Sequence, residues 1–325
     1  MKTALHLAST IVGIAILLGL GSLPAVAAAE GSFDRTLSVT GAVRLDVSTG
    51  SGSIQVRTGA GNQVHVTGHI KSTDWLGGSE ERVKQIEANP PIQQSGNDIR
   101  IGHIEDREMM HNISISYELV IPADTELRSH TGSGSQTIAG VHGQTEVSSG
   151  SGALHVSDIG SRLRAETGSG DVEIDRVQGA VRVRAGSGSI RATSVAGGFD
   201  AETGSGRISL EQSAPGSVRV DTGSGGMQLR GVKGSLEAHA GSGGIEVQGE
   251  PTGPWTVHTG SGTVRLQLAS SASFDLDART SSGSLSVDQP VTVQGSLAKK
   301  HIQGKVRGGG VPIDVETGSG NIEIR

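Results

Sequence analysis

The sequence contains no cysteine and only six aromatic residues (two Trp, one Tyr and three Phe), and both shortages exclude classes of protein. Without cysteine, the chain has neither a disulfide framework nor a bacterial lipid anchor on an N-terminal cysteine. With so few aromatic rings, it has little from which to build the platforms that seat sugar rings in carbohydrate enzymes. The formal net charge of −6, with Lys and Arg dispersed along the chain, argues against a nucleic-acid partner.

Long hydrophobic runs are also scarce, and the longest one lies close to the start of the chain. Residues 11–20 are almost entirely apolar, but a membrane-spanning helix needs roughly 20 such residues. Lys2 precedes this run and three alanines at 27–29 follow it, which is the layout of a secretory signal peptide. We therefore expect residues 1–29 to be a signal peptide. The mature protein is then exported, to the periplasm, the cell surface or the medium, with no membrane span.

Glycine, in contrast, is abundant, with 51 residues, and the glycines recur in register. The tetrapeptide Thr-Gly-Ser-Gly or a close variant recurs with its first glycine at 50, 132, 150, 168, 186, 204, 223, 241, 260 and 318, and as Ser-Ser-Gly at 281. Between positions 132 and 260 the steps are 18 or 19 residues. A fixed period this short indicates a repeat architecture.

Each repeat unit holds two nonapeptides in which apolar and polar residues alternate, as with Val172 and Ile174 in one half and Val181 and Val183 in the other. Such alternation, bounded by glycine, predicts a strand with one buried face. Two short strands cannot bury that face alone, but coils stacked about 4.8 Å apart place like residues on like residues. The sequence therefore predicts an all-β, single-stranded β-solenoid with two short strands in each coil of about 18 residues.

Departures from the repeat divide the chain into regions. Residues 30–125 are expected to form an N-terminal β region with a helical insertion at about 74–112. Within it, Ser79 is expected to cap a short helix over Glu80–Ala88, which ends at the Asn-Pro-Pro sequence that follows.

The other boundaries between regions are placed where the Thr-Gly-Ser-Gly corner recurs regularly or is missing. Residues 126–290 carry the regular solenoid repeats, and residues 291–325 are predicted to be C-terminal capping coils that block edge-to-edge pairing. The basic residues Lys299, Lys300 and His301 stand where the next glycine corner is expected.

Three features of the pattern resemble a known family. They are the Tyr-x-Leu-x-Ile-Pro strand at 117–122, the serial Gly-Ser-Gly-x-Ile units, and a glycine triplet followed by Thr-Gly-Ser-Gly-Asn-Ile-Glu-Ile at 317–324. Together they are similar to the bacterial adhesin-like β-strand-repeat family, a Gly-Ser-Gly β-solenoid domain of unknown function, over roughly residues 35–325. The resemblance implies an exported solenoid with an adhesive role, and it supplies no catalytic or binding residues.

No metal site or cofactor is predicted. Calcium-binding β-rolls also use two nonapeptides per coil, but where they place an aspartate this chain has aliphatic residues such as Leu154 and Ile190, which cannot ligate a hard cation. His239 and His258 are expected to be stacked neighbours, and a two-histidine metal site there lacks a third ligand.

No catalytic residue is predicted either. The serine of Thr-Gly-Ser-Gly repeats at every corner, whereas a catalytic serine is singular and sits in a strand-turn-helix context. The flanking glycines are explained by left-handed φ values and by close stacking of the coils. The threonines beside them suggest a flat hydroxyl array of the ice-binding kind, which Ala185 and Ala240 interrupt. Outward charges such as Arg184, between Glu166 and Glu202, are read either as a solvated surface that fixes coil register or as a ligand-binding face.

Two hypotheses for function remain. The first is a non-enzymatic, adhesin-like binding or scaffold protein whose partner is an unknown envelope polymer or protein. Its candidate ligand contacts are Trp75, Lys299, Lys300 and His301, because they lie where the repeat fails. The alternative is a polysaccharide-active lyase or hydrolase with a site near Trp75. Trp255 is expected to lie in the core, on the inward column.

Overall fold

The computed structural model describes residues 29–74, 79–104, 108–293 and 299–325, so almost all of the predicted signal peptide, and Trp75, lie outside the described residues. The described chain forms one helix and 27 strands that belong to a single hydrogen-bonded sheet. The elements are β1 (Glu30–Ser38), β2 (Val43–Thr49), β3 (Ile54–Thr58), β4 (Gln63–Ser72), α1 (Glu80–Ala88), β5 (Ile92–Ser95), β6 (Asp98–Ile101), β7 (Ile113–Ile121), β8 (Thr125–Thr131), β9 (Gln136–Ala139), β10 (Thr145–Ser149), β11 (Leu154–Ile159), β12 (Leu163–Thr167), β13 (Val172–Val177), β14 (Val181–Ala185), β15 (Ile190–Val195), β16 (Phe199–Thr203), β17 (Ile208–Gln212), β18 (Val218–Thr222), β19 (Met227–Ser242), β20 (Ile245–Ser261), β21 (Val264–Leu268), β22 (Phe274–Ser282), β23 (Leu285–Val287), β24 (Val291–Val293), β25 (His301–Val306), β26 (Val311–Ser319) and β27 (Ile322–Ile324).

The predicted β-solenoid is confirmed in the middle of the chain. Each coil contains two strands, and each strand pairs in parallel with its equivalent in the next coil, as Leu163 does with Val181 and Val172 with Ile190. Alternate residues point inward and are buried, so like residues stack into one continuous aliphatic core. Trp255 lies in this core, 1% exposed, and its indole Nε1 donates to the carbonyl oxygen of Gly234 at 2.9 Å, as predicted for an inward residue.

The threonine of the Thr-Gly-Ser-Gly corner is buried, so the threonines do not form the flat exposed array that the sequence suggested. Thr203 donates from Oγ1 to the carbonyl oxygen of Gly188 in the preceding coil at 2.9 Å. The same Oγ1 accepts from the backbone N–H of Gly206 in its own coil at 3.2 Å. Thr167 makes the equivalent pair of bonds two coils earlier. Each buried threonine therefore links one coil to the next at the corner.

Close stacking explains the second glycine of the regular corners. A Cβ added to Gly188 would lie 1.8 Å from the carbonyl oxygen of Gly170 in the preceding coil, and the equivalent Cβ on Gly170 would lie 2.0 Å from that of Gly152. The second expected reason, a left-handed φ, is wrong for these glycines, because none of the three has a positive φ. Glycine is required here because the backbone of the neighbouring coil occupies the space of a side chain.

A second corner, which the sequence analysis missed, lies near the end of the strand that follows the glycine corner in several coils. Asp158, Arg176 and Ser194 stand one coil apart and have φ values of 56°, 54° and 56°, in the left-handed region. Gly140 and Gly231 adopt the same conformation, with φ values of 80° and 69°. The left-handed residue bends the strand between two inward residues, and this corner accepts several residue types.

The N-terminal end of the stack does not follow chain order. Strands β6 and β7 pair with β2 and β3, and β2 and β3 also pair with β8 and β9. The coil at 43–58 therefore lies between the coil at 98–121 and the coil at 125–139. Antiparallel strands cover the outer edge, since β4 pairs with β7 and β1 pairs with β4.

The predicted helix within this end is confirmed over Glu80–Ala88, with Val83 and Ile86 buried. It lies close to β1, where Glu87 Oε1 accepts from the backbone N–H of Ser32 at 2.7 Å. The expected cap is wrong, because Ser79 has helical backbone angles and forms no side-chain capping bond. Ser79 is 1% exposed, so its side chain belongs to the packed interior rather than to the helix end.

The C-terminal end repeats this arrangement and corrects the predicted order of the capping coils. Strands β26 and β27, residues 311–325, pair with β20 and β21 on one side and with β22 and β23 on the other. This coil is therefore enclosed within the stack and does not cap it. The outer edge is instead covered by β25, antiparallel to β22, and by β24, antiparallel to β25. The boundary proposed at residue 291 stays a prediction.

Candidate functional site

The outward side chains of the strands that precede the glycine corner form one continuous face, which we name the ladder face. Two columns of residues run along it, because each strand pairs in register with the next. The first column reads Arg100, Asp46, Arg128, Glu146, Arg164, Arg182, Asp200, Arg219, Glu237, Thr256, Asp314 and Asp277. The second column reads Ser48, His130, Ser148, Glu166, Arg184, Glu202, Asp221, His239, His258, Glu316 and Arg279.

Opposite charges alternate along much of the first column and form ion pairs between coils. The guanidinium Nε of Arg182 lies 3.0 Å from Asp200 Oδ2, and Arg219 Nη1 lies 2.7 Å from Glu237 Oε2. The arginines are exposed and the carboxylates half-buried, so each pair adds at most about 1 kcal/mol to stability. The pairs do favour the observed order of the coils. Pairing that skipped a coil would place like charges opposite each other over much of the column.

The second column behaves partly as expected. Arg184 pairs with Glu202, at 3.5 Å between Nε and Oε2. Glu166, the other predicted partner, is instead bound by Arg164 of its own strand, at 2.6 Å between Oε1 and Nη2. Glu166 pairs within its own strand because Arg164 and Glu166 are two residues apart, and side chains at that spacing point to the same face.

The alternation fails at two places in the first column, and in the second column Glu202 lies directly opposite Asp221. Arg164 lies directly opposite Arg182, and Asp314 lies directly opposite Asp277. Directly opposed like charges are unfavourable in a sheet. Beside the arginine pair is a groove of about 670 Å³, whose lining includes Arg162 and Phe199. The first break therefore places cationic side chains beside a concave surface.

A second, longer groove of about 1040 Å³ follows the glycine corner along the ladder face, from His130 to Gly241. Its lining includes residues of the second column and the corner glycines Gly168 and Gly204. Because it crosses many coils without interruption, its shape suits an extended ligand better than a compact one.

The end of the ladder face formed by β20, β26, β22 and β25, which we name the acidic end, contains a group of charged residues from strands far apart in sequence. His258 Nε2 lies 3.3 Å from Asp314 Oδ1, and His301 Nε2 lies 2.9 Å from Asp277 Oδ1. The hydrogen bond to Asp277, together with the charges of Asp277, Asp314 and Glu316, raises the pKa of the Arg279 guanidinium above its ordinary value. Arg279 is therefore held charged among three carboxylates.

The predicted stacking of His239 on His258 is confirmed, with ring centroids 5.4 Å apart in an edge-to-face arrangement. Each ring has its own carboxylate, since His239 Nε2 lies 3.1 Å from Glu237 Oε1. Within the described ranges, no three His, Cys, Asp or Glu side chains are grouped so that they could hold a metal ion. The structure offers this histidine pair hydrogen-bond partners rather than a third ligand.

Three of the four predicted ligand contacts lie at the acidic end, and the fourth, Trp75, lies outside the described residues. Lys299 and Lys300 are exposed, and Lys300 Nζ donates to the carbonyl oxygen of Ser281 at 2.6 Å. His301 begins β25 and pairs with Arg279, so it extends the second column. Sequence reasoning missed this continuation because Asp277, Asp314 and His301 become neighbours only through the altered strand order.

Comparison with known proteins supports the fold. The family model of Toastrack DUF4097 matches residues 42–325. The chain belongs to the Toastrack DUF4097 family. No curated protein matches the chain. In the part of the Toastrack chain that the structure describes, no helix has both the length and the apolar character needed to cross a membrane.

Two solved structures are similar to the chain. One is a candidate cell adhesion protein from Clostridium sporogenes, 13% identical, with 91% of this chain and 98% of that chain covered and a TM-score of 0.21. The other is a candidate adhesin from Bacteroides fragilis, 12% identical, with 91% and 97% covered and a TM-score of 0.30. At these TM-scores neither likeness carries an argument about the function of this chain.

Proposed function

We propose that this Toastrack protein is exported and acts as a non-enzymatic, adhesin-like binding or scaffold protein of the bacterial envelope or surface. The observation that supports this most is the ladder face, with its two charged columns and its long open groove. A surface of this kind offers many similar polar contacts in a row. An extended polymer or a protein segment can use such contacts together, although each one is weak.

The arginine pair is where we expect binding to the ladder face to be strongest. Arg164 and Arg182 are in register beside a groove, and each already pairs with a carboxylate. Arg162 adds a third exposed cation and, unlike those two, has no ion-pair partner among the described residues. The guanidinium groups can bind acidic or hydroxyl groups of a partner through paired N–H donors.

The test is binding to fractionated envelope material by the Arg164→Gln, Arg182→Gln double variant. We expect retention to fall several-fold. The matched control is Arg191→Gln, Arg207→Gln, which removes two exposed arginines that lie outside the ladder face, and its retention should equal that of the unmodified protein. Equal loss in both double variants would show that net charge, and not the ladder face, determines binding. No loss in either would remove the ladder face as the binding surface.

The acidic end needs a separate test, because the sequence assigned ligand contacts there. Deleting 74–112 would remove α1, β5 and β6 and expose the edge of β2, so point changes are the better experiment. Lys299→Ala with Lys300→Ala changes two exposed turn residues and should leave the circular dichroism spectrum unchanged. If binding to envelope material is also unchanged, the assignment of ligand contacts to this turn is wrong.

The non-enzymatic part of the proposal is tested by turnover. Incubation with a panel of cell-wall and plant polysaccharides should release neither reducing ends nor unsaturated ends above background. Activity above background would replace the binding role with that of a polysaccharide-active enzyme.

A further inference from the structure

The coil at residues 311–325, which we name the closing coil, follows in sequence the two coils between which it lies. One wall of its slot is made of β20 and β21, and the other of β22 and β23. Both walls consist of residues up to Val287. A chain folding in sequence order therefore forms both walls before the segment that fills the gap.

The slot is matched to the closing coil by backbone and side-chain bonds. On one wall, the N–H of Val264 donates to the carbonyl oxygen of Asn321 at 2.9 Å; on the other, the N–H of Ile322 donates to that of Ser284 at 2.9 Å. The corner threonine Thr317 donates to the carbonyl oxygen of Gly262 at 3.0 Å. The closing coil therefore makes the same buried threonine bond to its neighbour as the regular coils do.

Burial of the closing coil is complete on its inner side. Ile313, Val315, Ile322 and Ile324 are each at most 1% exposed. With the slot empty, two parallel edges and this part of the core would be open to solvent, and open edges of this kind pair readily with a suitable strand.

The segment before the closing coil has the composition of a hinge. Chain direction reverses there, because β25 runs antiparallel to β22 and β26 runs parallel to it. Arg307, Gly308 and Gly309 have φ values of 52°, 87° and 89°, and Gly310 donates from its N–H to Asp275 Oδ1 at 3.3 Å. Arg307, Gly308 and Gly310 are exposed. Glycines in succession accept other backbone conformations at little cost, so the same segment can lead the closing coil elsewhere.

We propose that the closing coil exchanges between copies of this protein, so that residues 311–325 of one chain fill the slot of a second chain. Every copy presents the same edges, the same corner and the same core residues, so an exchanged coil makes the same contacts as its own coil. A coil bound in the slot of its own chain and a coil bound in the slot of a second chain differ only in hinge conformation and in effective concentration. Exchange therefore increases with protein concentration during folding.

The hinge also restricts the geometry of the exchanged form. Four residues, 307–310, span at most about 14 Å when extended, so the slots of the two partners must lie close together. The partners therefore meet at the end of the stack formed by β22 to β25, and both ladder faces stay exposed. An exchanged dimer would present two binding faces, a consequence that does not depend on which ligand the ladder face binds.

Disulfide trapping in the full-length chain tests this proposal, because there is no native cysteine to interfere. Ser261 and Ser319 are paired across one wall of the slot, and both are exposed corner residues. Neighbouring strands lie about 4.8 Å apart, which suits a disulfide. The Ser261→Cys chain and a differently tagged Ser319→Cys chain are unfolded together, refolded over a range of concentrations and oxidised. We expect a covalent heterodimer whose fraction rises with concentration.

Two further variants make the result decisive. The Ser187→Cys chain replaces Ser261→Cys as a control, because Ser187 occupies the same corner in the middle of the stack, far from the slot. The double variant Ser261→Cys, Ser319→Cys in one chain should close an internal disulfide at low concentration. The expected heterodimer yield is several-fold above the Ser187→Cys control. A yield equal to that control at every concentration, or failure of the internal disulfide, overturns the proposal.

Discussion

The two corners of each coil differ in how much sequence they allow, and the difference has one physical cause. At the Thr-Gly-Ser-Gly corner, a Cβ on Gly188 would approach a backbone oxygen of the neighbouring coil to 1.8 Å. At the left-handed corner, Asp158, Arg176 and Ser194 all adopt an unfavourable φ, yet their side chains have room. The corner that repeats faithfully is the one where coils touch backbone to backbone.

This comparison separates two uses of glycine that look the same in a sequence. At the first corner glycine is required by contact between coils, although its φ is one that any residue can adopt. At the second corner glycine relieves conformational strain, but contact does not demand it. Four substitutions test the distinction, from the largest expected effect to the smallest.

The strongest test is Gly188→Ala. Because the neighbouring backbone cannot move without separating two coils, we expect the free energy of unfolding to fall by about 3 kcal/mol. Gly50→Ala is the control: it changes the first glycine of another corner, where a Cβ would meet nothing within 4 Å. Urea unfolding of both variants measures the difference. Equal losses in the two would show that the glycine is needed for conformation rather than for contact.

The next effect concerns the buried hydroxyl of the same corner. Thr203→Val keeps the side-chain shape but leaves Gly188 O and Gly206 N–H without their partner, at a cost of about 1–3 kcal/mol. Ser205→Ala, at the exposed serine of the same corner, should cost nearly nothing. Thermal unfolding compares the two, and a larger loss at Ser205 would contradict this account of the corner.

A gain is expected where the threonine column is interrupted. Ala185 is buried between Thr167 and Thr203, its partners on the two neighbouring strands. A hydroxyl introduced by Ala185→Thr can donate to the Gly170 carbonyl, as its neighbours do to theirs. We expect the free energy of unfolding to rise by about 1 kcal/mol. A loss of stability in chemical denaturation would mean that the site is too small for the added atoms.

The smallest change is expected at the left-handed corner. Ser194→Gly removes strain at a φ of 56°, which should increase the free energy of unfolding by about 0.5 kcal/mol after the entropy of glycine is subtracted. Asp158→Gly is the informative counterpart, because it relieves the same strain but loses the hydrogen bond from Arg176 Nε at 2.6 Å.

Acidity adds a further check at Asp158. The hydrogen bond from Arg176 lowers the pKa of the Asp158 carboxyl below its ordinary value. A carboxyl with a lowered pKa in the folded state stabilises the fold above its unfolded pKa, and this contribution is lost as the pH falls through the folded pKa. Asp158→Gly should therefore compare more favourably with the unmodified protein at acid pH than at neutral pH. Chemical denaturation at both values measures the change.

Much of the fold follows from the sequence because the repeat acts locally. The alternation of Val172, Ile174 and their equivalents defines both the strands and the inward face, and the period defines the coil. The helix over Glu80–Ala88 was also predictable, from its two apolar residues and the prolines that end it. These features depend on neighbours in sequence or on the next coil.

Strand order at the two ends could not be predicted in the same way. The corner at Thr317 has the same sequence as the corners at Thr203 and Thr259, so any coil can stack on any other. What decides the order is how the antiparallel strands β4 and β25 cover the ends, and that depends on loops without a repeat. The acidic end of the ladder face was missed for this reason, since Asp277 meets Asp314 only because the enclosed coil lies beside β22.

Enclosure of the closing coil also determines how the protein resists pulling. A load applied at Arg325 acts on β27, which is hydrogen-bonded to β21 on one edge and to β23 on the other. Extraction has to rupture both ladders together and expose Ile322 and Ile324 at the same moment. A strand on the outside of a sheet would instead unzip one bond at a time. Detaching β27 therefore costs the hydrogen bonds of both its edges at once, which detaching an outer strand would not require.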